Sequence, residues 1–257
     1  MNLFEMKAFE KEIISIGDMI CSWRGSQEAR KVVDPIAFKT KADLKAHHLL
    51  SDLIAKFFPG VAILSEEDYK QVAERPTCYW LLDPIDGTAS WFGGFDGFVT
   101  QVAYIENDVP AYGAIYAPVL KKLWTAVRNK GAWLNHTRLP MLTKTNRLNL
   151  VDNYPTPQRI AEKIFNTMSV SCYIECGSLG LKSCMVADGT ADLFVKDVVI
   201  RDWDIAPITV LIHAVGGCIR DLNGMPITFV DSFDNNNGLI IARDDALLEA
   251  VLNIIAN

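Results

Sequence analysis

Three short acidic stretches carry the residues best suited to chemistry: "LSEED" (64–68), "DPIDGT" (83–88) and "RDWDIAP" (201–207). Each has an ordinary structural explanation of its own. Glu66 could simply end a strand in solvent. Asp83 and Asp86 could belong to a tight turn, since Asp-Gly is a strong turn signal, with Thr88 capping a following helix. Asp204 stands where an N-cap is expected, with Pro207 in the first turn, where its missing N–H does no harm. If Glu66, Asp83, Asp86 and Asp204 converge, however, four negative charges share one site. Charges that close raise one another's pKa unless divalent cations neutralise them. An all-oxygen donor set without His or Cys favours Mg²⁺ over Zn²⁺. Gly87 and Thr88 would add free backbone N–H groups at a helix start, a seat for phosphate. Carboxylates, a hard cation and an anion cradle together amount to metal-assisted phosphoryl hydrolysis.

Elements able to position these residues are legible on either side of them. An amphipathic helix opens the chain over residues 3–23, and a polar connection leads to a second helix whose apolar face is Leu44, Leu49, Leu50, Leu53, Ile54 and Phe57. "VAILS" and "YWLL" read as short buried strands. "FVTQVAYIE", "VPAYGAIYAP", "KLWTAVR" and "GAWLN" then form an antiparallel meander, with Asn107-Asp108 and Lys121-Lys122 as turns. Beyond it, helices "QRIAEKIFNTM", "LGLKSCMVADGTA", "DIAPITVLIHAVGG" and "DALLEAVLNII" alternate with strands "CYIECG", "DLFVK", "CIRDL" and "GLIIA". The first half is therefore α+β with an antiparallel sheet, and the second is α/β with a mixed sheet. A boundary is placed near residue 140, giving an N-terminal domain over 1–140 that carries the acidic motifs and a C-terminal domain over 141–257 that supplies Asp204.

The composition is that of a globular chain of 257 residues, half of them hydrophobic. A net charge of -6 argues against nucleic acid as a partner. The six cysteines are scattered without a Cys-x-x-Cys pair and read as reduced thiols, Cys172 and Cys176 in the core. The opening "MNLFEMKAFEKEII" reads as an acidic amphipathic helix rather than a signal peptide, and no apolar run reaches the roughly 20 residues of a membrane span. A cytoplasmic protein is expected.

"LSEED", "DPIDGT" and "WDIAP", in this order, resemble the motifs of the inositol monophosphatase superfamily of Mg²⁺-dependent, lithium-sensitive phosphatases. The resemblance runs over nearly the whole chain and implies a layered αβαβα sandwich. It implies two or three Mg²⁺ ions, with Glu66, Asp83 and the Ile85 carbonyl as ligands of the first and Asp83, Asp86 and Asp204 as ligands of the second. Thr88, partnered by Asp43 of "KTKAD", would orient the attacking water, which Glu66 also touches. The Gly87 and Thr88 amides would hold the phosphate. Attack is in line, the second metal stabilises the departing alkoxide, and no phosphoenzyme forms.

The substrate implied is a small phosphorylated metabolite. "ADLKAHHLL", "IYAPVLKKLW", "GSLGLKSCMVADGTADLF" and "HAVGG" resemble the 3'(2'),5'-bisphosphate nucleotidase branch, which would put Gly177, Ser178 and Lys182 near the substrate. "DPIDG" and the place of Asp197 resemble the inositol monophosphatase branch, commonly dimeric, which keeps a cyclitol or sugar phosphate and a homodimer open. Ala89, Ser90 and Trp91, after the phosphate loop, fit neither branch. A non-catalytic metal-binding relative is the alternative of another class. Among the remaining residues, Trp91 and Phe92 are read as core or pocket, and Lys31 as a solvated charge or a phosphate or third-metal contact. His47 and His48 are read as a surface or half-buried pair, and His213 as a core histidine.

Overall fold

The computed structural model describes residues 3–68, 74–230 and 232–256. The chain opens with α1 (Leu3–Ser22), a small hairpin of β1 (Val32–Asp34) and β2 (Lys39–Thr40), and α2 (Lys41–Phe57). Then come β3 (Ala62–Ser65), β4 (Cys78–Asp86), the short helix α3 (Thr88–Gly93), β5 (Val99–Glu106), β6 (Val109–Ala117), β7 (Lys122–Val127), β8 (Gly131–Leu134) and β9 (Thr137–Arg138). These seven strands form one sheet in sequence order, antiparallel except for the parallel pair β3 and β4. The four-stranded meander read from the sequence is its centre. Asn107 and Asp108 both take positive φ, 51° and 59°, which gives the β5–β6 hairpin its tight turn.

The second half adds β10 (Asn149–Asp152), α4 (Arg159–Thr167), β11 (Cys172–Glu175), α5 (Leu179–Ala187), β12 (Leu193–Lys196), β13 (Ile200–Arg201), α6 (Asp202–Ala214), β14 (Cys218–Arg220), β15 (Asp234–Asn235), β16 (Leu239–Ala242) and α7 (Asp245–Ala256). Five of its strands pair in the order β11-β10-β12-β16-β14, with β10, β11 and β12 mutually parallel. Strand β10 is only four residues long and is missed by the sequence pattern, although Asn153, Pro155 and Pro157 follow it as turn residues.

Three apolar clusters define five layers. Alternate residues of the large sheet (Trp80, Leu82, Tyr112, Tyr116) pack against α1 and α2. The opposite face (Tyr79, Leu81, Val99, Ile115, Trp124) meets α5, α6 and one face of the second sheet. The far face of that sheet (Leu150, Leu193, Val195, Ile240) is covered by α4 and α7. This αβαβα sandwich accounts for the composition of α6, which is largely apolar beyond its acidic first turn because it lies between two sheets.

Four readings of the sequence are corrected here. Helix α6 begins at Asp202, two residues earlier than expected, so Asp204 sits in its first turn rather than at the N-cap, and Pro207 falls in the helix interior. Pro207 cannot donate to the carbonyl four residues back, that of Trp203. The buried Gln101 Nε2 donates to that oxygen instead, at 3.1 Å. His213 is exposed rather than core, in the last turn of α6. Cys172 is likewise exposed, at the start of the edge strand β11. Leu44 is 38 % exposed and does not belong to the α2 core face.

Close approach of α6 to the large sheet depends on Gly113 of β6. A Cβ there would stand 2.5 Å from the Pro207 carbonyl oxygen. Gly113→Ala is expected to destabilise the fold by about 1–3 kcal/mol through this overlap. Urea unfolding measures it, and an unchanged midpoint would show that α6 can shift freely.

Candidate active site

The acidic residues reach one another through the ends of four elements. β3 and β4 run parallel with Ser65 opposite Leu82, and the Glu66 amide donates to the Leu82 carbonyl at 3.2 Å. Glu66 and Asp83 therefore leave adjacent strands at the same carboxyl edge, where layered α/β folds place their ligands. "DPID" is not the tight turn that the Asp-Gly signal suggests: β4 continues through Asp86. Its register against β5 slips between Asp83, opposite Gln101, and Asp86, opposite Val99. Residues three apart on a regular strand face opposite sides. The extra residue of this bulge cancels that alternation and turns Asp83 and Asp86 toward one site. Pro84 in the slipped segment has no N–H to leave unpaired.

Gly87 follows with φ 89° and ψ 42°, a left-handed residue that turns the chain into α3 and fills the N-cap place read for Thr88. The Thr88 hydroxyl is thereby free for other partners. Its Oγ lies 3.0 Å from Asp43 Oδ1 and 3.0 Å from the Ile85 carbonyl. Asp43 is fixed in turn by a capping box at the start of α2, where its Oδ2 accepts from the Thr40 amide at 2.8 Å and the Thr40 hydroxyl at 2.6 Å. Asp204 makes the equivalent contact at the start of α6, its Oδ2 accepting from the Arg201 amide at 2.8 Å. Asp86 accepts from the first amides of α5, Leu179 at 3.4 Å and Gly180 at 2.5 Å.

The electrostatics follow from this convergence. Burial raises the Asp83 carboxyl well above its ordinary value, and the charges of Glu66, Asp86 and Asp204 add to the shift. Burial and the Asp86 charge do the same to Asp204. Asp86 is raised by burial, against the opposing Gly180 amide and Lys182. Burial pushes Glu66 up to about 7, opposed by Lys39 and reinforced by Glu67 and Asp43. Such a group asks for positive charge, and all its donors are oxygens. Among the described residues no three His, Cys, Asp or Glu side chains stand close enough to enclose an ion by themselves. Mg²⁺ ordinarily takes only one or two carboxylates and completes its octahedron with water and phosphate oxygens, so the donor set suits it in that mode.

Other expected site residues fall as follows. Ser178 caps α5, its Oγ accepting from the Leu181 amide at 2.9 Å, and its own amide donates to the Gly97 carbonyl at 2.6 Å. That bond ties the "GSLG" turn to the loop after α3. Asp197 is exposed beyond β12, 3.6 Å from Arg159, outside the charge group just described. Trp91 is core: it is fully buried and donates to the Ile20 carbonyl at 2.9 Å. Phe92 meets the Phe38 ring edge-on beside the exposed Lys31 segment.

Lys182 is only 1 % exposed, so it supports the site from below. Its ammonium donates to the carbonyls of Gly177 at 2.7 Å, Ser178 at 2.8 Å and Cys176 at 3.4 Å. It thereby holds the turn whose amides grip Asp86, and burial lowers its pKa to about 8. Lys39 was not singled out by the sequence, being one lysine among several in a polar connection. It donates to the Glu66 carbonyl at 2.8 Å and pairs with Glu67 at 3.1 Å.

Comparison with known proteins gives the family. The model of the inositol monophosphatase family matches residues 9–256. The 3'(2'),5'-bisphosphate nucleotidase CysQ of Aggregatibacter actinomycetemcomitans is 32 % identical over 209 residues, covering 77 % of this chain and 78 % of that protein. A fructose-1,6-bisphosphatase/inositol-1-monophosphatase of Thermotoga maritima is 30 % identical over 204 residues, covering 78 % of each. A solved Pyrococcus horikoshii protein, described as similar to inositol-1 monophosphatase, superposes with a TM-score of 0.80 at 22 % identity over 98 % of both chains. The class is that of the phosphoric monoester hydrolases. The chain belongs to the inositol monophosphatase family, whose phosphatases are metal-dependent with Mg²⁺ typical. No helix among the described residues is long and apolar enough to cross a membrane.

Two outcomes follow from the site. Glu66 titrates near 7 when folded and near 4.5 when free, so without metal the folded form binds more protons between those values. Stability of the chelator-treated protein is expected to fall as pH rises from about 4.5 to about 7, and saturating Mg²⁺ to flatten the slope. A melting temperature that rises across this window in chelator would contradict the charge group. Replacing Lys182 with Met strips two buried carbonyls and one half-buried carbonyl of their donor and is expected to lower stability by about 1–3 kcal/mol in urea unfolding.

Proposed function

We propose that this phosphatase hydrolyses a small phosphate monoester in the manner of a 3'(2'),5'-bisphosphate nucleotidase. The observation that carries the reading is the meeting of Glu66, Asp83, Asp86 and Asp204 beside the Thr88–Asp43 pair, which is 3.0 Å apart. In this reading Glu66, Asp83, the Ile85 carbonyl, Asp86 and Asp204 hold two or three Mg²⁺ ions, which supply positive charge to the phosphate oxygens and acidify a water. Residues 1–140 thus carry most of the machinery, and residues 141–257 contribute Asp204 and substrate contacts.

The chain's own groups orient the reaction. Thr88 donates its hydroxyl proton to Asp43 Oδ1 and keeps a lone pair for the attacking water, which Glu66 steadies from the other side. The capping box around Asp43 keeps that acceptor from turning away. The amides of Gly87 and Thr88, at the start of α3, donate to the phosphate oxygens. Gly177 and Ser178, tied to Gly97, face the leaving group.

The nucleotidase assignment is supported by the likeness to CysQ and by the stretch "GSLGLKSC". A second reading, a cyclitol or sugar phosphate, is supported by the likeness to the Thermotoga enzyme and by Asp197. A panel of 3'-phosphoadenosine 5'-phosphate, inositol 1-phosphate, histidinol phosphate and fructose 1,6-bisphosphate separates them by kcat/KM. The bisphosphate nucleotide is expected to lead. Asp83→Asn is expected to lower kcat by about a thousandfold or more, and Li⁺ to inhibit. Full turnover in chelator would sink the metal reading, and an inositol 1-phosphate preference would move the assignment to the second.

A further inference from the structure

We infer that the chain carries a second ligand site, on the far edge of the large sheet, for a small organic anion with an apolar body. A cleft of about 670 Å³ opens there, within the range of small-molecule sites. It is lined by the turn between β5 and β6, the turn between β7 and β8, one face of α6 and residues 227–230. Its position is opposite to the acidic group. β5 leaves the acidic edge at Val99 and reaches the cleft only after Glu106, and Asp204 opens α6 while the cleft meets Thr209, Val210, His213 and Ala214. The step from Asp204 to His213 alone is about 14 Å along the helix.

The charge of the lining is unlike that of the chain. Arg128, Lys130 and Arg138 line the cleft against one acid, Asp108, in a protein of net charge -6, and the His213 imidazole, its pKa lowered by partial burial, adds a neutral donor. Arg128 is partly committed, pairing with Glu106 at 2.7 Å, and Arg138 donates to the Lys130 carbonyl at 3.2 Å. The Lys130 ammonium and the His213 imidazole make no hydrogen bond or ion pair among the described residues. Between these donors lies an apolar floor of Pro110, Val210 and Phe229, with Val109 and Val230 exposed at the rim by 46 % and 41 %. Cationic donors over an apolar floor recognise an anion attached to a hydrophobic or aromatic body, and they would disfavour a bare metal or a neutral sugar. This also gives His213, exposed where the sequence suggested a core residue, a place in a site.

The test uses 8-anilinonaphthalene-1-sulfonate, an aromatic anion of this chemistry, titrated by fluorescence and calorimetry onto the full chain in Mg²⁺. One saturable site is expected. The double variant Lys130→Glu/Arg138→Glu is expected to weaken it by about tenfold or more, and Thr228→Trp, which narrows the cleft without changing charge, to do likewise. Phosphatase turnover should stay at the parent level in both, which keeps this outcome separate from the reading of the active site. Binding untouched by both variants, displacement of the probe by inorganic phosphate, or unsaturable binding to apolar surface would each overturn the assignment.

Discussion

Gathering like charges in a buried place is the constraint on which the rest of this structure depends. Carboxylates moved out of water lose hydration, and each raises the energy of the next. The fold answers by aiming positive ends of its backbone at the same point. Asp43 caps the start of α2, Asp204 sits in the first turn of α6, and Asp86 accepts the first amides of α5. Three helix N-termini, each carrying partial positive charge, thus surround the acids. Lys39 and Lys182 add full charges beside Glu67 and behind Asp86. What remains unneutralised is what a divalent cation and a phosphate would complete between them.

Placing those helices puts demands on residues with no chemistry of their own. α6 must run between two sheets while starting at the acids, so beyond its first turn it is largely apolar, and it is pressed against Gly113. Its interior proline would leave a carbonyl bare, and Gln101 from the neighbouring strand supplies the missing donor. α5 must begin within reach of Asp86, and the buried Lys182 holds the preceding turn by three carbonyls. A lysine in that position reads in the sequence as a substrate contact. Its ammonium is spent on the backbone instead, because it lies beneath the turn.

Much of the scaffold was legible because it follows from local periodicity. The meander from Phe98 to Leu134 alternates with period two and has turn residues at its bends, so its strands follow from the pattern. The failures have local causes. β10 is four residues long, too short for its alternation to stand out. "DPIDG" carries a strong turn signal, yet pairing with β5 draws it into an irregular strand. Asp204 looks like a cap because Asp often is one, whereas the chain enters α6 from β13 two residues sooner. His213 lies in an apolar run, and the run alone does not tell which side of the helix meets solvent.

The sequence by itself determined the donor chemistry and its grouping: four acids in three motifs, a hydroxyl, a Gly-Thr turn and the family they resemble. It also determined which residues alternate into strands and which repeat along helices. Those are properties of residue type and of neighbours along the chain. Only the tertiary structure decided distances: that a one-residue bulge turns Asp83 and Asp86 to the same side, that Thr88 meets Asp43 across 45 positions, and that Lys182 supports while His213 is left exposed. Those depend on how strands slip against each other and how each helix is rotated toward its neighbours. Both are settled by packing between elements distant in the chain, which short-range patterns do not encode.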